Sequence, residues 1–208
     1  MERSQLTLYG ITDRKYLNGI TLPDAVEKAL QGGVTILQIR EKVLDEDALR
    51  REIRQILPIC RRYGVPLILD DHVELAVETG CDGVHIGQND MPATGARAIL
   101  GSDRILGVTA KTVEQAMAAE KAGADYLGSG AMFPTGTKSG ALPMSRRLLR
   151  EITASVHIPV VAIGGISVTN AALLRGTGIA GIAVSEGIFE AEDIREAAAA
   201  LRRETETL

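Results

Sequence analysis

Residues 104–130 read RILGVTAKTVEQAMAAEKAGADYLGSG, and the fold turns on them. The stretch opens with a β-type run, RILGVT (104–109), and closes with another, YLGSG (126–130). Between them TVEQAMAAEKAGAD (112–125) carries apolar residues at helical spacing and a Gly near its end, which reads as an amphipathic helix and its stop. Working outward, the same alternation recurs. LTLYGIT (6–12), TILQIR (35–40), PLILD (66–70), GVHIG (83–87), VVAIGG (160–165) and GIAVSE (181–186) complete eight β-type runs. Helix-type segments such as LPDAVEKALQGG and DEDALRREIRQILPICRRYG separate them. Eight β/α units without a linker, repeat block or low-complexity tract predict an α/β chain of (β/α)8 TIM-barrel type, one domain over residues 1–208. An open doubly wound sheet is the alternative, because periodicity alone does not show closure.

Composition narrows the function classes. The 208 residues are 45% hydrophobic and 24% charged, with 23 Lys and Arg against 27 Asp and Glu, a net charge of −4. That is an ordinary soluble composition, with no basic block for nucleic acid and no apolar stretch long enough for a bilayer. MERSQ at the start lacks the apolar centre of a signal peptide, so the expected location is the cytoplasm and the expected partners are small molecules. Cys60 and Cys81 lack metal-type spacing and read as two reduced, mostly buried thiols.

In a barrel of this kind the loops after the strand C-termini build the active site. After the second strand, alternation puts Gln38, Arg40 and Lys42 on one side and Glu41 on the other. After the third and fourth come Asp70-Asp71 and Asp90. Each acid alone reads as a helix cap; together, opposite Arg40, Lys42 and Lys138, they suggest an Mg2+ bridging protein to a diphosphate. Strands seven and eight end in Gly164-Gly165-Ile166-Ser167 and Ser185-Glu186-Gly187-Ile188, where glycines and the next helix N-terminus suit a phosphate. The loop MFPTGTKSG (132–140) holds more donors than turning requires: Thr135, Thr137 and Lys138 suit an anionic ligand, and Gly136 and Gly140 permit closure. His85 reads as a satisfied core residue, His157 as a loop residue, and His72 receives no role.

Six motifs then carry a family resemblance: LQIREK, LILDDHVELA, GCDGVHIGQNDMP, LGVTAKT, GADYLGSGAMFPTGTK and AIGGI. In this order and spacing the chain resembles the thiamine phosphate synthase family, also called thiamine-phosphate pyrophosphorylase, over nearly its whole length. The resemblance implies a (β/α)8 barrel that joins hydroxymethylpyrimidine diphosphate to hydroxyethylthiazole phosphate, releasing diphosphate. It implies that Gln38, Arg40, Lys42, Thr109 and Lys138 hold the pyrimidine diphosphate and that Asp71 and Asp90 bind Mg2+. Thr135 and Thr137, with the backbone at Gly165 and around Ser185 and Glu186, would receive the thiazole phosphate. A dissociative step with no protein nucleophile follows, and homodimerisation is a family-level expectation.

Three positions depart from the family pattern. Asp70 stands where Asn is usual, placing a carboxylate beside the diphosphate unless metal or a proton offsets it. Glu186 stands where Ser is usual, and its side chain is expected to turn away so that only the backbone N–H binds. Lys111 replaces a His. The related thiazole tautomerases generally lack the metal acids and use a His at the Lys111 position, so both discriminators favour the synthase. A third reading is a non-catalytic barrel that binds thiazole or thiamine phosphate as a regulator.

Overall fold

The computed structural model describes residues 1–17, 19–135, 143–206 and 208. Eight parallel strands close into a barrel in chain order: β1 (Leu8–Ile11), β2 (Ile36–Ile39), β3 (Leu67–Asp70), β4 (Gly83–Ile86), β5 (Ile105–Thr109), β6 (Tyr126–Gly130), β7 (Val160–Ile163) and β8 (Gly181–Val184). Closure is made by β1 against β8, with Leu8 opposite Ile182 and Gly10 opposite Val184. That pairing excludes the open sheet. Around the barrel run α1 (Leu22–Gln31), α2 (Glu46–Tyr63), α3 (Val73–Thr79), α4 (Ala93–Leu100), α5 (Val113–Lys121), α6 (Arg146–Ser155), α7 (Glu186–Phe189) and α8 (Ile194–Thr205).

The helices begin where the sequence supplies side-chain acceptors for their unpaired first N–H groups. Thr21 accepts from the N–H of Asp24, Asp45 from Ala48, Thr112 from Gln115, Ser145 from Leu148 and Asp193 from Glu196. One expected helix is much reduced. After β7 there is only a 3-10 turn, Ala171–Leu174, because Gly176 and Gly178 take left-handed φ values of 71° and 81° and stop the segment.

Alternation along each strand produces two cores. Outward side chains such as Leu37, Leu69, Leu106 and Ile182 pack under the helices. Tyr9, Ile11, Ile36, Ile68, Tyr126, Val161 and Ala183 fill the barrel interior. Tyr126 occupies this small interior because β5 is notched beside it: a Cβ on Gly107 would lie 2.1 Å from the Tyr126 ring. The interior is therefore packed through its lower layers and polar towards the strand C-termini, where a cavity opens.

Candidate active site

The cavity at the C-terminal end of the barrel has a volume of about 570 Å3. The alternation expected of β2 holds. Gln38, Arg40 and Lys42 all line the cavity, whereas Glu41 turns away, is 7% exposed, and pairs with Arg14 at 3.3 Å. Its other oxygen, Oε1, is buried without a hydrogen-bond partner among the described residues. Burial raises the Glu41 carboxyl above the ordinary range, and Arg14 only partly offsets it.

Asp70, Asp71 and Asp90 line the same cavity, and neither Asp71 nor Asp90 caps a helix. α3 begins after His72 and α4 after Pro92, both without a side-chain cap. Asp90 Oδ2 instead accepts from the N–H of Gly87 at 2.7 Å, tightening the loop after β4. Asp71 sits at the centre of a tight turn, with the N–H of His72 donating to the Asp70 carbonyl at 2.9 Å. It is the one non-glycine residue of positive φ among those described, at 65°. Such a turn is strained, and strain of this kind concentrates at ligand sites.

The cations and acids form one cluster. Lys42 Nζ donates to Asp71 Oδ2 at 2.5 Å and lies 2.6 Å from Asp70 Oδ2 in an ion-pair contact outside hydrogen-bond geometry. Arg40 Nε is 4.0 Å from the same Asp70 oxygen. Burial lowers the Lys42 pKa, but the two carboxylates outweigh it and the net shift is upward, so the ammonium stays charged. This answers the departure at position 70: Asp70 is held by Lys42 and Arg40.

At the far wall, Gly164 and Gly165 have φ of 96° and 63°, and Ser185, Glu186 and Gly187 begin α7. A Cβ on Gly165 would lie 2.3 Å from the Pro134 carbonyl oxygen, so the β7 loop and the loop after β6 touch through backbone. Ser185 Oγ is buried without a partner among the described residues. Glu186 does not turn away as expected. It lines the cavity, and its Oε1 accepts from the Thr135 hydroxyl at 3.5 Å. Thr137 and Lys138, with Gly136 and Gly140, lie outside the described residues.

The floor holds a buried polar network that sequence reasoning missed. Gln38 Nε2 donates to the Tyr9 hydroxyl at 3.0 Å, and the Tyr9 and Tyr126 hydroxyls are 2.8 Å apart. His85 Nδ1 meets the Tyr126 hydroxyl at 3.0 Å and His85 Nε2 meets Thr109 Oγ1 at 3.0 Å. His85 is satisfied at both ring nitrogens, as expected, but it also lines the cavity. Burial pushes both phenols far above their ordinary range, so they remain protonated. Alternation could have shown that Tyr9 and Tyr126 point inward; nothing in their spacing shows that they meet.

A cavity at the C-terminal rim, lined by paired cations and carboxylates with glycine-rich turns opposite, lies where TIM-barrel enzymes carry their active sites. Comparison with known proteins narrows it. The family model described as thiamine monophosphate synthase matches residues 8–188. The thiamine-phosphate synthase of Ruminiclostridium cellulolyticum is 46% identical over 192 residues, 92% of this chain and 91% of that protein. That of Clostridium botulinum is 41% identical over 202 residues, 97% and 95% of the two chains. The solved structure of thiamine phosphate pyrophosphorylase from Pyrococcus furiosus superimposes with a TM-score of 0.90 at 40% identity, covering 98% of this chain and 97% of that one. The chain belongs to the thiamine monophosphate synthase family.

Proposed function

We propose that the chain is a thiamine-phosphate synthase, joining hydroxymethylpyrimidine diphosphate to hydroxyethylthiazole phosphate with release of diphosphate. The observation that carries this reading is the convergence of Arg40, Lys42, Asp70, Asp71, Asp90 and Thr109 on one cavity in a chain 41–46% identical to several proteins named for that activity. Arg40, Lys42 and Lys138 bind the diphosphate. Gln38 and Thr109 orient the pyrimidine half. As the bond from the pyrimidine methylene carbon to the diphosphate oxygen breaks, its electron pair leaves with the diphosphate. The cations stabilise that developing charge, and the aminopyrimidine shares the positive charge left on carbon. The thiazole nitrogen then supplies the pair for the new C–N bond, so the chain needs no nucleophile of its own.

Thr135, Thr137, Ser185 and the backbone at Gly165 and Glu186 receive the thiazole phosphate. The Thr135 contact to Glu186 is long at 3.5 Å, weak enough to be exchanged for a phosphate oxygen. Mg2+ is part of the proposal: among the described residues no group of three or more His, Cys, Asp or Glu is placed to hold a metal, so Asp71 and Asp90 would hold it with waters and substrate phosphates. Two carboxylates, Asp71 and Asp90, share the cavity, and Mg2+ uses one or two together with waters and substrate phosphates. Among the described residues the acids facing the cavity, Asp70, Asp71, Asp90 and Glu186, outnumber the cations Arg40, Lys42 and Lys111, which leaves room for added positive charge before a diphosphate binds. Bound there, the ion would help neutralise the departing diphosphate. A cytoplasmic location and a homodimer complete the reading.

The test is diphosphate release from the purified protein with both substrates, in Mg2+ and again in EDTA. Release that needs both substrates and the metal, and that falls at least tenfold in Asp71→Asn and Asp90→Asn, is the expected result. Tight binding of thiazole phosphate by folded protein without release would assign it to the regulator instead. Isomerisation of a thiazole carboxylate phosphate would assign it to the tautomerases.

A further inference from the structure

We propose that Tyr126, which does not face the ligand cavity, is a positioning residue: through a one-way hydrogen-bond chain it holds His85 in the Nε2–H tautomer and makes the Thr109 hydroxyl a donor to ligand. The chain is Gln38, Tyr9, Tyr126, His85, Thr109, joined by four contacts of 2.8 to 3.0 Å. Gln38, Tyr9, His85 and Thr109 line the cavity; Tyr126 alone lies behind them, 0% exposed.

The direction follows from counting protons. Gln38 donates to Tyr9, so the Tyr9 hydroxyl proton must go elsewhere. Tyr9 is 1% exposed, and a buried hydroxyl proton left without an acceptor loses its hydration with nothing in return. The acceptor within reach is the Tyr126 oxygen at 2.8 Å. Tyr126, equally buried, must in turn donate, and the atom 3.0 Å away is His85 Nδ1. An Nδ1 that accepts carries no proton, so the ring's proton sits on Nε2 and points at Thr109 Oγ1, 3.0 Å away. Thr109 Oγ1 then accepts, and its own proton has no acceptor among the described residues. The chain holds one proton more than it has links, and the surplus emerges at Thr109, on the cavity wall. Run in reverse, the surplus would fall on Tyr9, whose hydroxyl already accepts from Gln38 and which, at 1% exposed, reaches the cavity far less than the half-buried Thr109 does. Each link polarises the next, so Thr109 is a better donor than an isolated threonine.

Two further contacts hold the end of the chain in place. Gln88 Nε2 donates to the Thr109 carbonyl at 2.5 Å, and the His85 carbonyl accepts from the N–H of Asp71 at 2.9 Å. The ligand atom opposite Thr109 must therefore be an acceptor, such as a phosphate oxygen or an unprotonated ring nitrogen. Only the identity of that atom rests on the synthase reading; the direction of the chain is a property of the protein without ligand.

The experiment is a long-range 1H–15N spectrum of the uniformly 15N-labelled full chain. The protein has three histidines, and His72→Gln and His157→Gln, both exposed positions, assign the remaining signal to His85. The expected result is a pyridine-type Nδ1 and a pyrrole-type Nε2. Tyr126→Phe should admit the Nδ1–H form and lower kcat/KM by roughly three- to tenfold, the effect of about one hydrogen bond. Should Tyr126→Phe fail to fold, Gln38→Met, which removes the donor at the origin, should also admit the Nδ1–H form. A wild-type His85 in the Nδ1–H form, or a ring unchanged in Tyr126→Phe or Gln38→Met, overturns the proposal. The spectrum decides this even in a protein that releases no diphosphate, so the two readings fail separately.

Discussion

Gly107→Ala is the substitution that most directly tests how the barrel interior carries the site. The new methyl would lie 2.1 Å from Tyr126 Cζ and 2.3 Å from its hydroxyl, against about 3.5–4.0 Å for an unstrained carbon contact. The ring has nowhere to go. Its centroid lies 5.8 Å from that of Tyr9 and 5.5 Å from that of His85, and its hydroxyl sits between both neighbours at 2.8 and 3.0 Å. If β5 and β6 shift instead, the overpacking costs about 1–3 kcal/mol; if the ring is displaced, each lost hydrogen bond adds about 0.5–1.5 kcal/mol. With two hydrogen bonds at stake, either route costs about 1–3 kcal/mol, which for a chain of this size lowers Tm by about 2–12 °C. Thermal and urea unfolding of the two proteins, with matched m-values, measure it. Gly95→Ala is the control, since its methyl would meet Met91 Cγ at an ordinary 3.5 Å within α4 and should stabilise by about 0.5–1 kcal/mol. A Gly107→Ala protein within about 2 °C of wild type would refute the claim that Tyr126 is pinned.

Further outcomes are expected. Lys42→Met should lower kcat/KM for diphosphate release about a hundredfold while changing stability by less than about 1 kcal/mol, because the lysine is half exposed; steady-state kinetics within threefold of wild type would remove it from the leaving-group site. Glu41 titrates above its ordinary value of 4.5 in the folded chain, so the native state binds the extra proton and the stability this contributes is lost as pH rises through that raised value. The stability of wild type relative to Glu41→Gln should therefore fall as pH rises above about 4.5; a flat or rising difference in pH-dependent melts contradicts the burial argument. Burial pushes the Cys60 thiol up to about 12 and raises Cys81 as well, so a thiol-reactive aromatic disulfide should label neither in native protein and both in urea. Rapid native labelling would show that one of them is accessible.

The eight strands and the inward set of β2 were legible because period-2 alternation and helical spacing are local properties of neighbouring residues. Glu41 and Lys42 are adjacent, and the pattern alone put them on opposite sides; that Glu41 meets Arg14 is visible only in the structure. Taken singly, Asp71 and Asp90 had the spacing of helix caps, and only their pairing opposite the cations argued otherwise; the fold uses neither as a cap.

Tertiary structure decided what depends on distance through space. Tyr9 and Tyr126 are 117 positions apart, and alternation assigns both to the interior without specifying the layer at which they meet. That layer is set by the stagger of the closed barrel and by the notch at Gly107. Closure itself rests on the β1–β8 pairing, a contact between the two ends of the strand order that no window of sequence contains. The choice of Lys42 as partner to both Asp70 and Asp71 and the placement of Glu186 beside Thr135 have the same origin. Sequence determined the inward set of β2, since that is a matter of parity along a strand; only the closed barrel brought His85 and Glu186 to the cavity and determined which groups touch, since that requires strands distant in the chain to share one interior.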